Sequence, residues 1–576
     1  MSTPIVHDTG PVPEAAEYVP PDPKIWITRV VGLLSGIVLA VIIYYAMPDN
    51  AAEVAKRSIK PEDLEGMNLD GMPIVAAVAV LMGVWWMTEA IPLAATALVP
   101  MTLFPLLQVA PFSDAAGPYA SHIIYLFMGG FILALAMQRW NLHRRIALNV
   151  VRIVGTKPRQ LIGGFMIATG FLSMWVSNTA TAVMMLPIGL SVLTLVEHLI
   201  GNQAFTPDDQ EELAEEIEEI PEVARDATKG GAIGTIIAGA KDTIDTVKEH
   251  AVQHHSNFAV GLMLAIAYSA SIGSLGTIIG TPPNALLVGY LKEKNITVNF
   301  GEWMLVGVPL AAVFMLVGWF VITYVLFKPE INEIPGGKKL IKDEIDKLGK
   351  MSAGEIWVAI LFAAAAFSWV VVPFILKHYD VSIKGIDTIV ALSVSMLLFI
   401  IPADPKRGVR LINWETAKDL PWDILLLFGG GLALSHQFSQ TGLSNWIGEQ
   451  VEGLQGLPVI LILVIITMLV IFLTELTSNT ATAAAFLPII GGVGMGLGYG
   501  GHNVMLFVIP VALAATCAFM LPVATPPNAI AYGSGYVRMA DMIKTGIWLN
   551  LIGVVLITLT VLALAVPVFE LTLTAS

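Results

Sequence analysis

Ser177-Asn178-Thr179-Ala180-Thr181-Ala182 and Ser478-Asn479-Thr480-Ala481-Thr482-Ala483 are one hexapeptide that occurs twice in this chain. Each copy interrupts an apolar stretch, 160–199 in the first case and 457–500 in the second. A polar, turn-forming break in the centre of such a stretch predicts a hairpin that enters a membrane partway and returns. The repetition extends outward. Phe127-Met128-Gly129-Gly130 is matched by Leu427-Phe428-Gly429-Gly430, and Thr281-Pro282-Pro283-Asn284 by Thr525-Pro526-Pro527-Asn528. Three motifs in the same order make the chain a duplicated unit.

The composition fixes the solvent. Apolar residues are 56% of 576 positions and charged residues 13%, against roughly a quarter charged in a soluble domain. A membrane span needs about 20 apolar residues. Full spans read near 26–47, 73–91, 93–109, 119–138, 259–291, 304–327, 355–375, 386–402, 421–437, 503–536 and 543–570, eleven in all. Gly130 lies in the fourth of them and Gly430 in the ninth, an odd separation of five spans, so the second copy runs through the membrane in the opposite sense. Inverted repeats with interrupted helices at corresponding positions are the mark of an alternating-access carrier.

Charge orients the chain. Between Arg139 and Arg159 there are six Lys or Arg and no acidic residue, which predicts a cytoplasmic segment. The lysine-rich loop 328–350 and Lys406-Arg407-Gly408-Val409-Arg410 fall on the same side. The formal charge is −14, and the loop 205–256 holds thirteen acidic against four basic residues. That loop is expected in the cytoplasm as a solvated, mobile insertion. The proline-rich tail 1–25 is expected to be disordered there, and the C-terminus to lie outside. His250, His254 and His255 lack a second cluster at ligand spacing and carry no metal-site reading. Cys517, the single cysteine, excludes a disulfide within the chain.

The motifs suit anion and cation binding rather than bond breaking. Where two half-helices meet at Ser-Asn-Thr, backbone N–H and C=O groups lose their helical partners. Helix N-termini attract carboxylates, and nearby carbonyls and hydroxyls offer hard oxygen to a small cation. Two successive prolines force a span to unwind, so the Thr-Pro-Pro-Asn segments expose further carbonyls. A hydrolase would need a nucleophile with a partnered base, whereas these motifs hold amides and hydroxyls without a histidine. An anion channel would favour a ring of basic residues, and none of the four motifs contains Lys or Arg. Glu89 reads as a structural group within its span. Glu475, three residues before Ser478, reads as a proton carrier, a brace for the tip, or a group facing water.

The chain resembles the divalent anion:sodium symporter family, whose members carry dicarboxylates, citrate or sulfate. The resemblance covers about 26–570 and rests on Trp85-Trp86-Met87-Thr88-Glu89-Ala90-Ile91-Pro92, Ser173-Met174-Trp175-Val176-Ser177-Asn178-Thr179 and both proline motifs. It implies an all-α polytopic membrane protein with about eleven transmembrane helices and two re-entrant hairpins in two inverted repeats. A scaffold and an elevator-type transport domain are implied in each subunit of a homodimer. The expected divisions are the tail 1–25, largely scaffold spans 26–118, the first repeat 119–327, a cytoplasmic linker 328–354, scaffold spans 355–420 and the second repeat core 421–570. Substrate contacts implied by the resemblance are Asn178, Thr179, Thr281, Pro282, Ser478, Asn479, Thr480, Thr525 and Pro526. One sodium site would use Ser173, Ser177, Asn178 and the Gly280 carbonyl. The other would use Thr474, Ser478, Asn479 and the Ala524 carbonyl. The expected activity is sodium-coupled import of C4 dicarboxylates (succinate, malate, fumarate) across the bacterial inner membrane. At least two Na+ would move per substrate, with no organic cofactor and no nucleic-acid partner. A sodium-independent exchanger and a sulfate or citrate carrier are the alternatives.

Overall fold

The computed structural model describes residues 23–201 and 256–574, apart from positions 60, 156, 332, 333, 335, 336, 382, 384, 452 and 454. Expectations for residues 1–22, the acidic segment 202–255 and the histidines at 250, 254 and 255 fall outside these.

The first part of the chain forms α1 (Pro23–Ala46), α2 (Met72–Thr88), α3 (Leu93–Thr96), α4 (Val99–Leu106), α5 (His122–Arg139) and the amphipathic α6 (Leu142–Val154). The first hairpin is α7 (Pro158–Ser173) and α8 (Asn178–Gly201). A broken helix follows as α9 (Asn257–Ser274) and α10 (Pro282–Glu293), then α11 (Phe300–Phe320). Next come α12 (Gly337–Lys347), α13 (Ala353–His378) and α14 (Ile386–Ile400). A short antiparallel ribbon, β1 (Pro402–Asp404) with β2 (Val409–Arg410), is a small exception to the all-helical expectation.

After α15 (Trp422–Gln440) the pattern repeats. The second hairpin is α16 (Val459–Thr474) and α17 (Asn479–Gly496). The second broken helix is α18 (Met505–Thr516) and α19 (Pro526–Gly533), and α20 (Met539–Thr560) closes the body.

Among the described residues, seven helical segments are long and apolar enough to cross a membrane. They divide by burial. In α9, 94% of residues are buried inside the protein, against 11% in the outlying α1. The broken helices are therefore the core, and apolar α1 faces outward. Within the expected span 93–109 the apolar stretch Leu93–Leu106 is helical in two pieces, with Pro92 and Pro100 each at a helix start and Pro105 inside the second helix, because proline removes a backbone donor and obstructs the preceding turn.

Close crossings hold the hairpins in place. A Cβ on Gly273 of α9 would stand 2.2 Å from the Gly170 carbonyl oxygen of α7, so glycine at that crossing lets the two backbones touch. The three basic segments gather on one face. Arg144 Nη2 pairs with Glu344 of α12 at 2.9 Å and Arg145 Nε with Glu355 of α13 at 2.8 Å. Trp140 Nε1 donates to the Leu411 carbonyl at 2.7 Å, and Arg139 Nη1 to Thr416 Oγ1 at 3.3 Å, which brings in the ribbon after α14.

Candidate functional site

Both hairpins break over four residues, Met174–Ser177 and Glu475–Ser478, and their second helices begin at the two asparagines. The N-terminal N–H groups of α8 and α17 thus point away from their helices at matching places. The two tips are capped differently. Ser177 Oγ accepts from the Ala180 N–H at 3.3 Å, whereas Ser478, with extended backbone at φ −61° and ψ 131°, makes no side-chain cap bond. Asn178, Thr179, Ser478 and Asn479 are half-buried and Thr480 is buried.

The hydroxyls four residues before each tip serine are fully buried. Ser173 Oγ donates to the Ala270 carbonyl of α9 at 2.6 Å. Thr474 Oγ1 stands 2.9 Å from the Ala515 carbonyl of α18 and 2.8 Å from Asn479 Oδ1. Of the side chains assigned to the second cation site, Thr474 and Asn479 are thus in direct contact. In the first, Ser173 is turned toward α9.

The broken helices bring the repeats together crosswise. Half-helix α19 of the second repeat packs on α8 of the first, and α10 of the first packs on α17 of the second. The Thr281 and Thr516 hydroxyls meet at 3.3 Å across the two repeats, while Thr525 Oγ1 caps its own helix by accepting from the Asn528 N–H at 3.3 Å. These two threonines, alike in sequence, do different work. Pro282 and Pro526 are half-buried at the first positions of α10 and α19. Gly280 is buried so tightly that a Cβ would lie 2.3 Å from the Ser274 carbonyl oxygen. Ala524, buried, ends the single helical turn Pro522–Ala524.

Glu475 is 3% exposed, and its role is specific. Its carboxylate accepts from the backbone N–H of Phe519 at 2.7 Å, of Met520 at 3.0 Å and of Leu521 at 3.2 Å, and from Asn550 Nδ2 of α20 at 2.7 Å. It braces the unwound stretch after α18 and is not open to water. The first repeat has Met174 at the equivalent place, and there the Thr277 hydroxyl donates to the Met174 carbonyl. The reading of Glu89 as a group inside its span is corrected. It is exposed, with φ 47°, in the left-handed turn that ends α2.

Carbonyls, hydroxyls and amide oxygens at the two tips and the two unwound loops are hard-oxygen donors. Such donors suit an alkali cation, and the helix N-termini beside them suit an anion. The profile of the family described as the sodium:sulfate symporter transmembrane region matches residues 65–571. The chain belongs to that family. It is therefore a divalent anion:sodium symporter family member, a transporter and not an enzyme. Among relatives, the sodium-dependent dicarboxylate transporter SdcS of Staphylococcus saprophyticus is 39% identical over 502 residues, covering 87% of this chain and 87% of that protein. The SdcS of Staphylococcus aureus strain USA300 is 41% identical over 489 residues, covering 84% and 85%. The solved Alcanivorax borkumensis YdaH transporter covers 86% of this chain and 99% of its own at a TM-score of 0.47 and 13% identity, too distant to bear on the site.

Proposed function

We propose that this protein is a sodium-coupled secondary active transporter that imports C4 dicarboxylates across the bacterial inner membrane by elevator-type alternating access. The observation that carries the reading is the paired break. Two hairpin tips and two unwound helices, one of each per repeat, interrupt helices at matching places and leave backbone N–H and C=O groups there without helical partners. The names of the SdcS relatives supply the cation and the substrate class.

In this reading Asn178, Thr179, Ser478, Asn479 and Thr480 contact the carboxylates, and Thr281, Pro282, Thr525 and Pro526 close the site. One sodium ion is held by Ser173, Ser177, Asn178 and the Gly280 carbonyl, the other by Thr474, Ser478, Asn479 and the Ala524 carbonyl. Moving an unpaired dianion out of water is prohibitively costly. With no Lys or Arg in the four motifs, two sodium ions beside it bring the loaded site close to neutrality. Sodium and dianion then raise each other's affinity by one factor.

The mobile unit comprises the hairpins and broken helices, and the spans in 26–118, for the most part, and in 355–420 form the scaffold of a homodimer. The gathered basic face lies in the cytoplasm with the N-terminus, and the C-terminus lies outside. A sulfate carrier is the second reading, because the family description names sulfate.

The test is uptake of labelled succinate by the purified protein in liposomes, with sodium, potassium or choline outside, competed by malate, fumarate, citrate and sulfate. Sodium-dependent uptake blocked by C4 dicarboxylates is expected. Equal uptake in all three salts would overturn the coupling, and competition by sulfate alone would move the substrate to the second reading.

A further inference from the structure

Carbonyls released by an unwound helix need partners, and at membrane depth water is a poor source of them. In the first repeat the partner is Asn284, the third residue of α10. Its Nδ2 lies 2.9 Å from the Thr277 carbonyl, 3.4 Å from that of Leu275 and 3.5 Å from that of Ser274. In the second repeat it is Asn528, the third residue of α19. Its Nδ2 lies 3.1 Å from the Leu521 carbonyl and 3.0 Å from that of Ala518. In both copies the carbonyls are those seven and ten residues upstream. The register survives although the loops share almost no side chains, Leu275-Gly276-Thr277-Ile278-Ile279-Gly280 against Phe519-Met520-Leu521-Pro522-Val523-Ala524.

Chemistry fixes the orientation of each amide. An oxygen turned toward several carbonyls would be repelled, so the NH2 faces the loop. Both asparagines are fully buried, and among the described residues neither Oδ1 atom has a hydrogen-bond partner. An unpaired buried acceptor costs about 1–3 kcal/mol.

We propose that Asn284 and Asn528 are positioning residues. Each ties its unwound loop back onto the half-helix that follows, and so sets where the Gly280 and Ala524 carbonyls stand. The inference rests on the sodium-coupled reading, in which those carbonyls are cation ligands. Each asparagine governs its own loop, so the loss of either acts on sodium binding before any substrate is present.

The experiment measures binding of labelled sodium to the purified, detergent-solubilised protein without dianion, alongside its melting temperature. Asn284→Leu and Asn528→Leu keep the side-chain shape and remove the donors. Each is expected to raise the half-saturating sodium concentration about tenfold, the worth of the lost hydrogen bonds. A merely structural role would lower the melting temperature and leave the sodium midpoint at the wild-type value, and that result overturns the inference while leaving sodium coupling intact. A wild-type protein with no saturable sodium binding would overturn the coupled reading and this inference together. Should a Leu variant not fold, Asn284→Ser and Asn528→Ser, which are smaller and retain one donor, are measured in the same way. A raised sodium midpoint in them supports the positioning role, and an unshifted one overturns it.

Discussion

Thr474 and Ser173 occupy matched places in the two hairpins but spend their hydroxyls differently. Thr474 reaches both the Ala515 carbonyl and Asn479 Oδ1, whereas Ser173 reaches the Ala270 carbonyl. Thr474→Val keeps the shape and releases the tip asparagine, so the sodium concentration for half-maximal uptake should rise between about twofold and tenfold. Ser173→Ala should give a smaller rise, and high sodium should restore succinate affinity in both. If saturating sodium restores neither, these hydroxyls do not act through the cation. Glu475 is a different kind of residue, because its carboxylate serves three backbone N–H groups and Asn550 at once. Glu475→Gln would turn an amide NH2 toward N–H donors. The variant should lose about 2 kcal/mol of stability and most of its uptake. An unchanged melting temperature would remove the bracing role.

At the scale of elements, the unwound loop of the first repeat makes a sharp prediction about two of its glycines. A Cβ at Gly280 would meet the Ser274 backbone at 2.3 Å, while one at Gly276 would meet the flexible end of Met174 at 2.4 Å. Backbone cannot step aside and a thioether can. Gly280→Ala should therefore abolish succinate uptake, and Gly276→Ala should keep a substantial part of it. Equal loss in both would mean that the loop's path is not set by that close approach.

The hairpins and broken helices are legible in the sequence because their signals are local: a polar tip in an apolar stretch, or two prolines in a span. The bracing is not legible, because its partners are remote. Glu475 finds its N–H groups 44 to 46 residues away, and nothing in Phe519-Met520-Leu521 announces them. The amides of Asn284 and Asn528 are within reach of a sequence argument, since both recur with the prolines. Attention to the prolines as helix breakers passes over the side chain that holds the break together. In the span 93–109 uniform hydrophobicity hides the break that its own prolines make.

At the scale of the whole molecule, the paired arginines of α6 and the ribbon after α14 share a face, and in the proposed inverted-repeat topology the loop before α18, at the base of the second hairpin, lies across the membrane from it. Single cysteines at Arg407 and His502 should therefore react from opposite sides of the membrane. Native Cys517, fully buried, leaves the background quiet. An impermeant thiol reagent added to intact cells should label position 502 and spare position 407, and the reverse would invert the proposed orientation. The crosswise packing, with α8 on α19 and α10 on α17, bears on how such a protein arose. Within each repeat the hairpin lies on the first half of its own broken helix, α7 on α9 and α16 on α18, while the second half, α10 or α19, lies on the hairpin of the other repeat. Two copies inserted in opposite senses supply each other's missing partner. An undoubled unit would need a second, oppositely inserted copy to cover that half-helix, an arrangement open only to a polypeptide whose loops carry too little basic bias to fix its direction of insertion. Joining both copies in one chain makes the pairing permanent and lets them differ, as Met174 and Glu475 do at matching places.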